Sequence, residues 1–150
     1  MNILKNFKKF LTKNALKKEG IRFSCTQCGY CCIKPGSVFF SRDEIKKAAE
    51  LLETTVKSFK HKYISEKIHD NLYELYTKSA CPFYNEDTGC VIYKARPSQC
   101  STYPFWPNNF QDQKNIQKLF SECPGTGQGK FHSYEKIADY IAKTHESFRF

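Results

Sequence analysis

Four cysteines fall within eight residues, Cys25-Thr26-Gln27-Cys28-Gly29-Tyr30-Cys31-Cys32, and four more stand at Cys81, Cys90, Cys100 and Cys123. Thiolates are soft ligands, so crowding them into one loop is the chemistry of a metal or cluster site. A CxxC spacing lets two sulfurs grip one metal while the backbone turns and directs N–H groups at the sulfurs. Two such spacings overlap here, Cys25 with Cys28 and Cys28 with Cys31. Three thiolates spaced in this way also open the cluster loops of bacterial ferredoxins, where a remote cysteine before proline completes the site. Cys81-Pro82 and Cys123-Pro124 have that form, so the spacing fits either zinc or an iron-sulfur cluster of the 4Fe-4S type. Cys31 and Cys32 are adjacent, and neighbouring side chains ordinarily diverge, which directs one of them to a second site. All eight cysteines are candidate ligands. They divide into two four-thiolate centres, or into one centre plus buried structural cysteines.

Three further residues are candidates for supporting such a cofactor. Arg96 precedes Pro97, which biases it toward an extended backbone, and its guanidinium could neutralise a thiolate-rich centre. Gly125 and Gly127 lie in Gly125-Thr126-Gly127-Gln128-Gly129, after Cys123. Without the Lys-Ser/Thr of a phosphate loop, this run reads as backbone passing close to a cysteine and donating N–H groups to its sulfur. His61, His69, His132 and His145 lack paired zinc spacing and read as surface or edge residues. Trp106, between Phe105 and Pro107, reads as a core or lid aromatic. No Ser/His/Asp order or close carboxylate pair suggests hydrolysis.

The elements that must position these residues are legible in part. Residues 1–20 read as a basic amphipathic helix, with six lysines and no acid between Asn2 and Lys18 and with Ile3, Leu4, Phe7, Phe10, Leu11 and Ala15 on one arc. Such a helix either folds onto its own domain, the reading preferred here, or contacts a membrane surface or partner. Val38-Phe39-Phe40 reads as a strand, and Ser41 with Glu44 forms a capping box that starts a helix from Arg42 to about Glu53. Thr54 or Thr55 caps a second helix through Phe59 and Tyr63, and Leu72 to Tyr76 suggests a strand. Asn85 to Gly89 is turn-rich and leads into the strand-like Cys90-Val91-Ile92-Tyr93, so a loop or hairpin brings Cys81 near Cys90. Prolines place Cys100 and Cys123 on loops or helix ends. A last helix starts at Ser133 with Ile137, Tyr140 and Ile141 inward.

At 150 residues the chain suits one domain. The expected fold class is α+β: helices around short antiparallel strands, with cysteine-rich metal-binding loops, divided as helix 1–20, metal-binding core 21–130 and C-terminal helix 131–150. Thirteen Phe and nine Tyr, against a mean hydropathy of −0.61, imply an aromatic-built core in a soluble protein. No apolar run reaches the roughly 20 residues of a membrane span, and no export signal is legible, so a cytoplasmic location is expected. There, clustered cysteines ligate metal or do redox chemistry more often than they form disulfides. The formal charge of +9 would ordinarily suggest nucleic acid. A zinc ion or oxidised 4Fe-4S cluster on four thiolates carries about −2, however, so two centres would lower the net charge to about +5. Nucleic acid is therefore not the expected partner, and a protein partner stays open.

The ordered motifs CxxCGxCC, Cys81-Pro82-Phe83, Gly89-Cys90-Val91-Ile92-Tyr93, Arg96-Pro97-Ser98-Gln99-Cys100, Tyr103-Pro104-Phe105 and Cys123-Pro124-Gly125-Thr126-Gly127-Gln128-Gly129 resemble the YkgJ-type cysteine-cluster family. The resemblance runs from Cys25 to Gly129 and implies a small bacterial cytosolic protein whose cysteines bind zinc or an iron-sulfur cluster. It does not supply a reaction. A similar CxxCxxCC element occurs in the longer flagellin lysine methylases. The leading reading is thus a metal-binding module in a structural, carrier or electron-transfer role. The alternatives are an iron-sulfur or zinc enzyme of redox or protein-modifying type, and a zinc-stabilised nucleic-acid or protein adaptor.

Overall fold

In a computed structural model, which describes residues 20–147, the elements run β1 (Ile21–Phe23), β2 (Gly36–Phe40), α1 (Arg42–Leu51), α2 (Val56–Tyr63), β3 (Glu66–His69), β4 (Leu72–Thr77), β5 (Tyr84–Asn85), β6 (Gly89–Cys90), α3 (Ser98–Thr102), α4 (Gln113–Glu122), β7 (Thr126–His132) and α5 (Tyr134–Ser147), with short 3-10 turns at Tyr93–Ala95 and Pro107–Phe110. All strand pairs are antiparallel, and the class is α+β. The N-terminal helix expected over residues 1–20 lies outside the described residues, apart from Gly20. Among the described residues no helix is long and apolar enough to cross a membrane. The chain divides into two compact units, one of residues 27–101 and one joining the described residues up to 26 with those from 102 onward.

The unit of residues 27–101 is built on the sheet β2-β4-β3. Val38 pairs with Leu75 and Phe40 with Tyr73, so alternate residues of both strands share one face. Helix α1 covers that face with Ile45, Ala48 and Ala49, all buried. The helix starts as its sequence dictates: Ser41 Oγ accepts from Glu44 N at 3.2 Å, and Glu44 Oε2 accepts from Ser41 N at 2.8 Å. Thr55 caps α2 through Ser58 N at 3.0 Å. The core is aromatic, with Phe59 stacked on Phe83 at 5.7 Å and edge-on to Phe40 at 5.8 Å. Phe83 and Ile92 are buried in this core, and each lies two residues beyond a cysteine, Cys81 and Cys90. The apolar anchors thereby fix the roots of both cysteine segments. The strand expected over Cys90–Tyr93 is shorter than its composition suggests. Its strand pairing is confined to Gly89–Cys90 with Tyr84–Asn85; Val91 N still donates to the Phe83 carbonyl at 2.8 Å, and the chain then passes through buried Ile92 into the 3-10 turn at Tyr93–Ala95.

In the other unit β1 pairs with β7, with Ile21 opposite His132. Its core joins Ile21, Phe23, Phe105, Phe110, Ile116 and Leu119 to Ile137 and Ile141 of α5. The Phe105 and Tyr140 rings stack at 5.6 Å. Asp112 caps α4 by accepting from Asn115 N at 2.8 Å. Cys123 is the C-cap of that helix and is buried with the core.

Candidate metal centre

The cysteine loop turns on Gly29, whose carbonyl accepts from Cys32 N at 2.8 Å and Ile33 N at 2.9 Å. Gly29 is buried at φ +83°, and a Cβ there would lie 2.1 Å from Cζ of Tyr84. Tyr84 Oη donates to the Cys28 carbonyl at 3.1 Å, so the ring lies over the glycine and its hydroxyl grips the loop. Gln27, itself at φ 55°, accepts from Cys90 N through Oε1 at 3.1 Å. Cys81 N donates to the Cys32 carbonyl at 2.6 Å. These bonds tie the loop to both the Cys81 segment and the β5-β6 hairpin. Tyr30 N–H meets Cys28 Sγ at 3.5 Å, the N–H to sulfur contact expected of a CxxC turn.

Cys100 is positioned by the two residues before it. Ser98 donates to Glu44 Oε1 through its N–H at 2.7 Å and its hydroxyl at 2.6 Å, which anchors α3 to the start of α1. Gln99 works as a piece of strand: its Oε1 accepts from Phe39 N at 3.0 Å and its Nε2 donates to the Ser37 carbonyl at 3.1 Å, covering the edge of β2. Arg96 is held by a bond from Nε to the Tyr93 carbonyl at 2.9 Å, and its guanidinium stacks 3.7 Å from the Tyr93 ring centroid. The extended backbone expected before Pro97 is present, with ψ 139°.

Five thiols of this unit feel one another. Cys31 and Cys32 Sγ are 4.0 Å apart, so the divergence expected of neighbours does not occur; the tight turn at Gly29 replaces the extended or helical backbone that would splay them. The hydrogen bond from Cys32 brings the Cys31 thiol down to about 7 against the opposing effect of burial, helped by the charges of Arg96 and Lys34. Cys32 is pushed up, first by donating that bond, then by burial and by the charges of Cys31, Cys81 and Cys90. Burial, followed by the neighbouring thiolates, raises Cys81 and Cys100 as well, while Arg96 acts against the rise at Cys100. In metal-free protein, iodoacetamide labelling of Cys31 is expected to rise with pH through a midpoint near 7, and Cys32→Ala is expected to move that midpoint upward toward an ordinary thiol. A midpoint unchanged by Cys32→Ala would remove the hydrogen bond as its cause.

The chemistry of this donor set suits a soft ion, because several thiols that resist ionising beside one another are stabilised together by a shared cation. Geometrically the set is not closed. Among the described residues no group of three or more His, Cys, Asp or Glu side chains is gathered so as to hold a metal ion, so the expected metal-binding loops are neighbours in charge and not an assembled chelate. Cys28 belongs to the same unit, with its carbonyl on Tyr84. Cys25 and Cys123 belong to the other unit, Cys25 exposed and Cys123 buried; none of the eight is in a disulfide. Gly125 is also in that unit, where its carbonyl accepts from Ser24 N at 3.3 Å and a Cβ would lie 2.4 Å from the Ser24 carbonyl oxygen. Its close approach is therefore to the residue before Cys25. Gly127 follows in β7 at φ +83°.

His61 and His69 are exposed. His132 is half-buried among Phe23, Phe105 and Tyr140, with Nε2 at 3.0 Å from the Phe23 carbonyl, and the side chain of His145 lies outside the described residues. Trp106 is half-buried, edge-on to Tyr103 at 5.0 Å. Sequence reasoning missed Gln27, Tyr84, Ser98 and Gln99 as the residues that position the cysteines, since their partners are remote in the chain. A family model, CxxCxxCC, described as "Putative zinc- or iron-chelating domain", matches residues 24–124. No solved structure matches the chain.

Proposed function

The chain belongs to the CxxCxxCC family, and from that premise we propose that the unit of residues 27–101 binds one soft transition-metal ion on thiolates drawn from Cys31, Cys32, Cys81, Cys90 and Cys100, with zinc as the ion. The observation that carries this reading is the 4.0 Å separation of the Cys31 and Cys32 sulfurs. Two ligands of a tetrahedral zinc at about 2.3 Å lie about 3.8 Å apart, so the adjacent pair is spaced to share a single ion. Bound zinc would supply a closed, redox-inert crosslink that cancels thiolate repulsion. The residues of the chain do the rest: Gln27 and Tyr84 hold the loop, Ser98 and Gln99 hold the segment of Cys100, and Arg96 offsets residual negative charge. An iron-sulfur cluster is the second reading, favoured by the Cys25-Cys28-Cys31 spacing. The role is that of a metal-binding module.

Anaerobic purification with metal analysis and an absorption spectrum tests both. The expected result is a colourless protein with about one zinc per chain by the four-thiolate accounting, lost from the Cys31→Ser/Cys32→Ser double variant and retained by Cys123→Ala. A brown protein with iron and sulfide would select the cluster. Full zinc content in the double variant would overturn the proposed ligand set. Chelation of the ion is further expected to loosen this unit, lowering its thermal midpoint, because four separated segments lose their common crosslink.

A further inference from the structure

The adjacent thiols of the cysteine loop are placed to react with each other as well as to share an ion. The Cys31 and Cys32 sulfurs stand 4.0 Å apart, and an approach of about 2 Å, supplied by rotation about the two Cα–Cβ bonds, brings them to the disulfide length of about 2.04 Å. The backbone around them is pinned: Cys32 N donates to the Gly29 carbonyl at 2.8 Å, and the Cys32 carbonyl accepts from Cys81 N at 2.6 Å. Cys31 is exposed and Cys32 half-buried. An oxidant arriving from solvent therefore meets Cys31 with a second thiol behind it, the arrangement of a reacting and a resolving cysteine.

The bond so formed is a labile one. The peptide joining the two residues is trans, which sets their Cα atoms about 3.8 Å apart, whereas relaxed disulfides span about 4.4–6.8 Å. Strain of this kind makes a disulfide easier to reduce. A bond that closes under an oxidant and reopens with a thiol suits this geometry better than a permanent crosslink. Closing it would also withdraw two of the five candidate ligands, leaving Cys81, Cys90 and Cys100, one thiolate short of a closed zinc site. That consequence rests on the thiolate centre proposed above, while the disulfide itself does not.

We propose that Cys31 and Cys32 form a redox switch, closed to a vicinal disulfide by a hydroperoxide and reopened by a thiol reductant, in which closure removes both sulfurs as metal ligands. With hydrogen peroxide, the Cys31 sulfur attacks one oxygen; the S–O bond forms, the O–O bond breaks, and the departing hydroxide leaves as water with the thiol proton. The Cys32 sulfur then attacks the Cys31 sulfur; the S–S bond forms, the S–O bond breaks, and the second hydroxide leaves as water with the Cys32 proton. Two thiols are oxidised to one disulfide and one peroxide is reduced to two waters.

Hydrogen peroxide added to zinc-loaded and to metal-free protein, followed by intact mass, alkylation and peptide mapping, tests this. The expected result is loss of two hydrogens, six of the eight thiols still alkylated, a disulfide within the peptide holding residues 31 and 32, and about one zinc released per two thiols oxidised, read with a chromophoric indicator. Glutathione is expected to restore both thiols. Cys32→Ser cannot close the ring and is expected to gain oxygen at Cys31, trapped by dimedone, while Cys123→Ala behaves as wild type. Residues 31 and 32 both still alkylated after oxidation, either one paired with a different cysteine, or the same Cys31 oxygen adduct in wild type and Cys32→Ser would overturn the switch. The disulfide forming in a protein that takes up no zinc when reduced would support the dithiol chemistry and overturn the thiolate centre instead.

Discussion

Replacing Glu44 with alanine is expected to destabilise the unit of residues 27–101 by about 3 kcal/mol, since hydrogen bonds to a charged group contribute about 1.5–3 kcal/mol each and are not additive within one network. The carboxylate accepts from Ser41 N, Ser98 N and Ser98 Oγ at 2.8, 2.7 and 2.6 Å. One oxygen completes the capping box of α1 while the other holds the segment that carries Cys100. Loss of the side chain leaves two N–H groups and a hydroxyl short of an acceptor, and Glu44→Gln, which keeps one carbonyl oxygen, is expected to cost less.

The pH dependence has a definite sign. Burial raises the Glu44 carboxyl, but the bonds from Ser41 and Ser98 outweigh it and hold the group below its ordinary value. A carboxylate depressed in the folded state contributes stability that is fully present above its unfolded value of about 4.3 and is lost as pH falls through the folded value. Urea midpoints of wild type and Glu44→Gln should therefore differ most near neutral pH and converge in acid. A Glu44→Ala variant as stable as wild type at neutral pH would show that Ser98 finds another acceptor.

The near half of this arrangement is legible in the chain and the far half is not. Ser41 and Glu44 are three residues apart, and their capping box follows from local geometry, as do the cap at Thr55 and the hairpin leading to Cys90. Ser98 meets Glu44 across 54 positions, a contact that no local pattern encodes. The same holds for Gln27 with Cys90 N and for Tyr84 with Cys28. Strand β7, Thr-Gly-Gln-Gly-Lys-Phe-His, has poor strand composition and exists through its pairing with Ile21 and Arg22. Cys31 and Cys32 were expected to part because adjacent residues do so on regular elements; they lie on neither a helix nor a strand. The identity of each thiol as a candidate ligand is local information, whereas which thiols become neighbours depends on Phe83, Ile92 and Pro97 being buried.

Gly29→Ala is expected to weaken zinc binding by at least tenfold and to cost about 2 kcal/mol of stability, for two separable reasons. At φ +83° a residue with a Cβ pays about 1–2 kcal/mol for the left-handed conformation. The added carbon would also lie 2.1 and 2.2 Å from Cζ and Oη of Tyr84, so the ring must leave and its bond to the Cys28 carbonyl breaks. Strain acts on the turn that sets the Cys31-Cys32 separation, and steric displacement acts on the clamp that holds the loop. Tyr84→Ala, alone and combined with Gly29→Ala, distinguishes them. If loss of the clamp dominates, Tyr84→Ala alone weakens zinc binding as much as Gly29→Ala and the double variant is no worse than either; if backbone strain dominates, Tyr84→Ala alone costs little, and Gly29→Asn, which tolerates the left-handed region better than alanine, performs better than Gly29→Ala. Competition with a chromophoric chelator reads the affinity. A Gly29→Ala protein that competes as well as wild type would mean that the turn is not what brings the two sulfurs to a common ion.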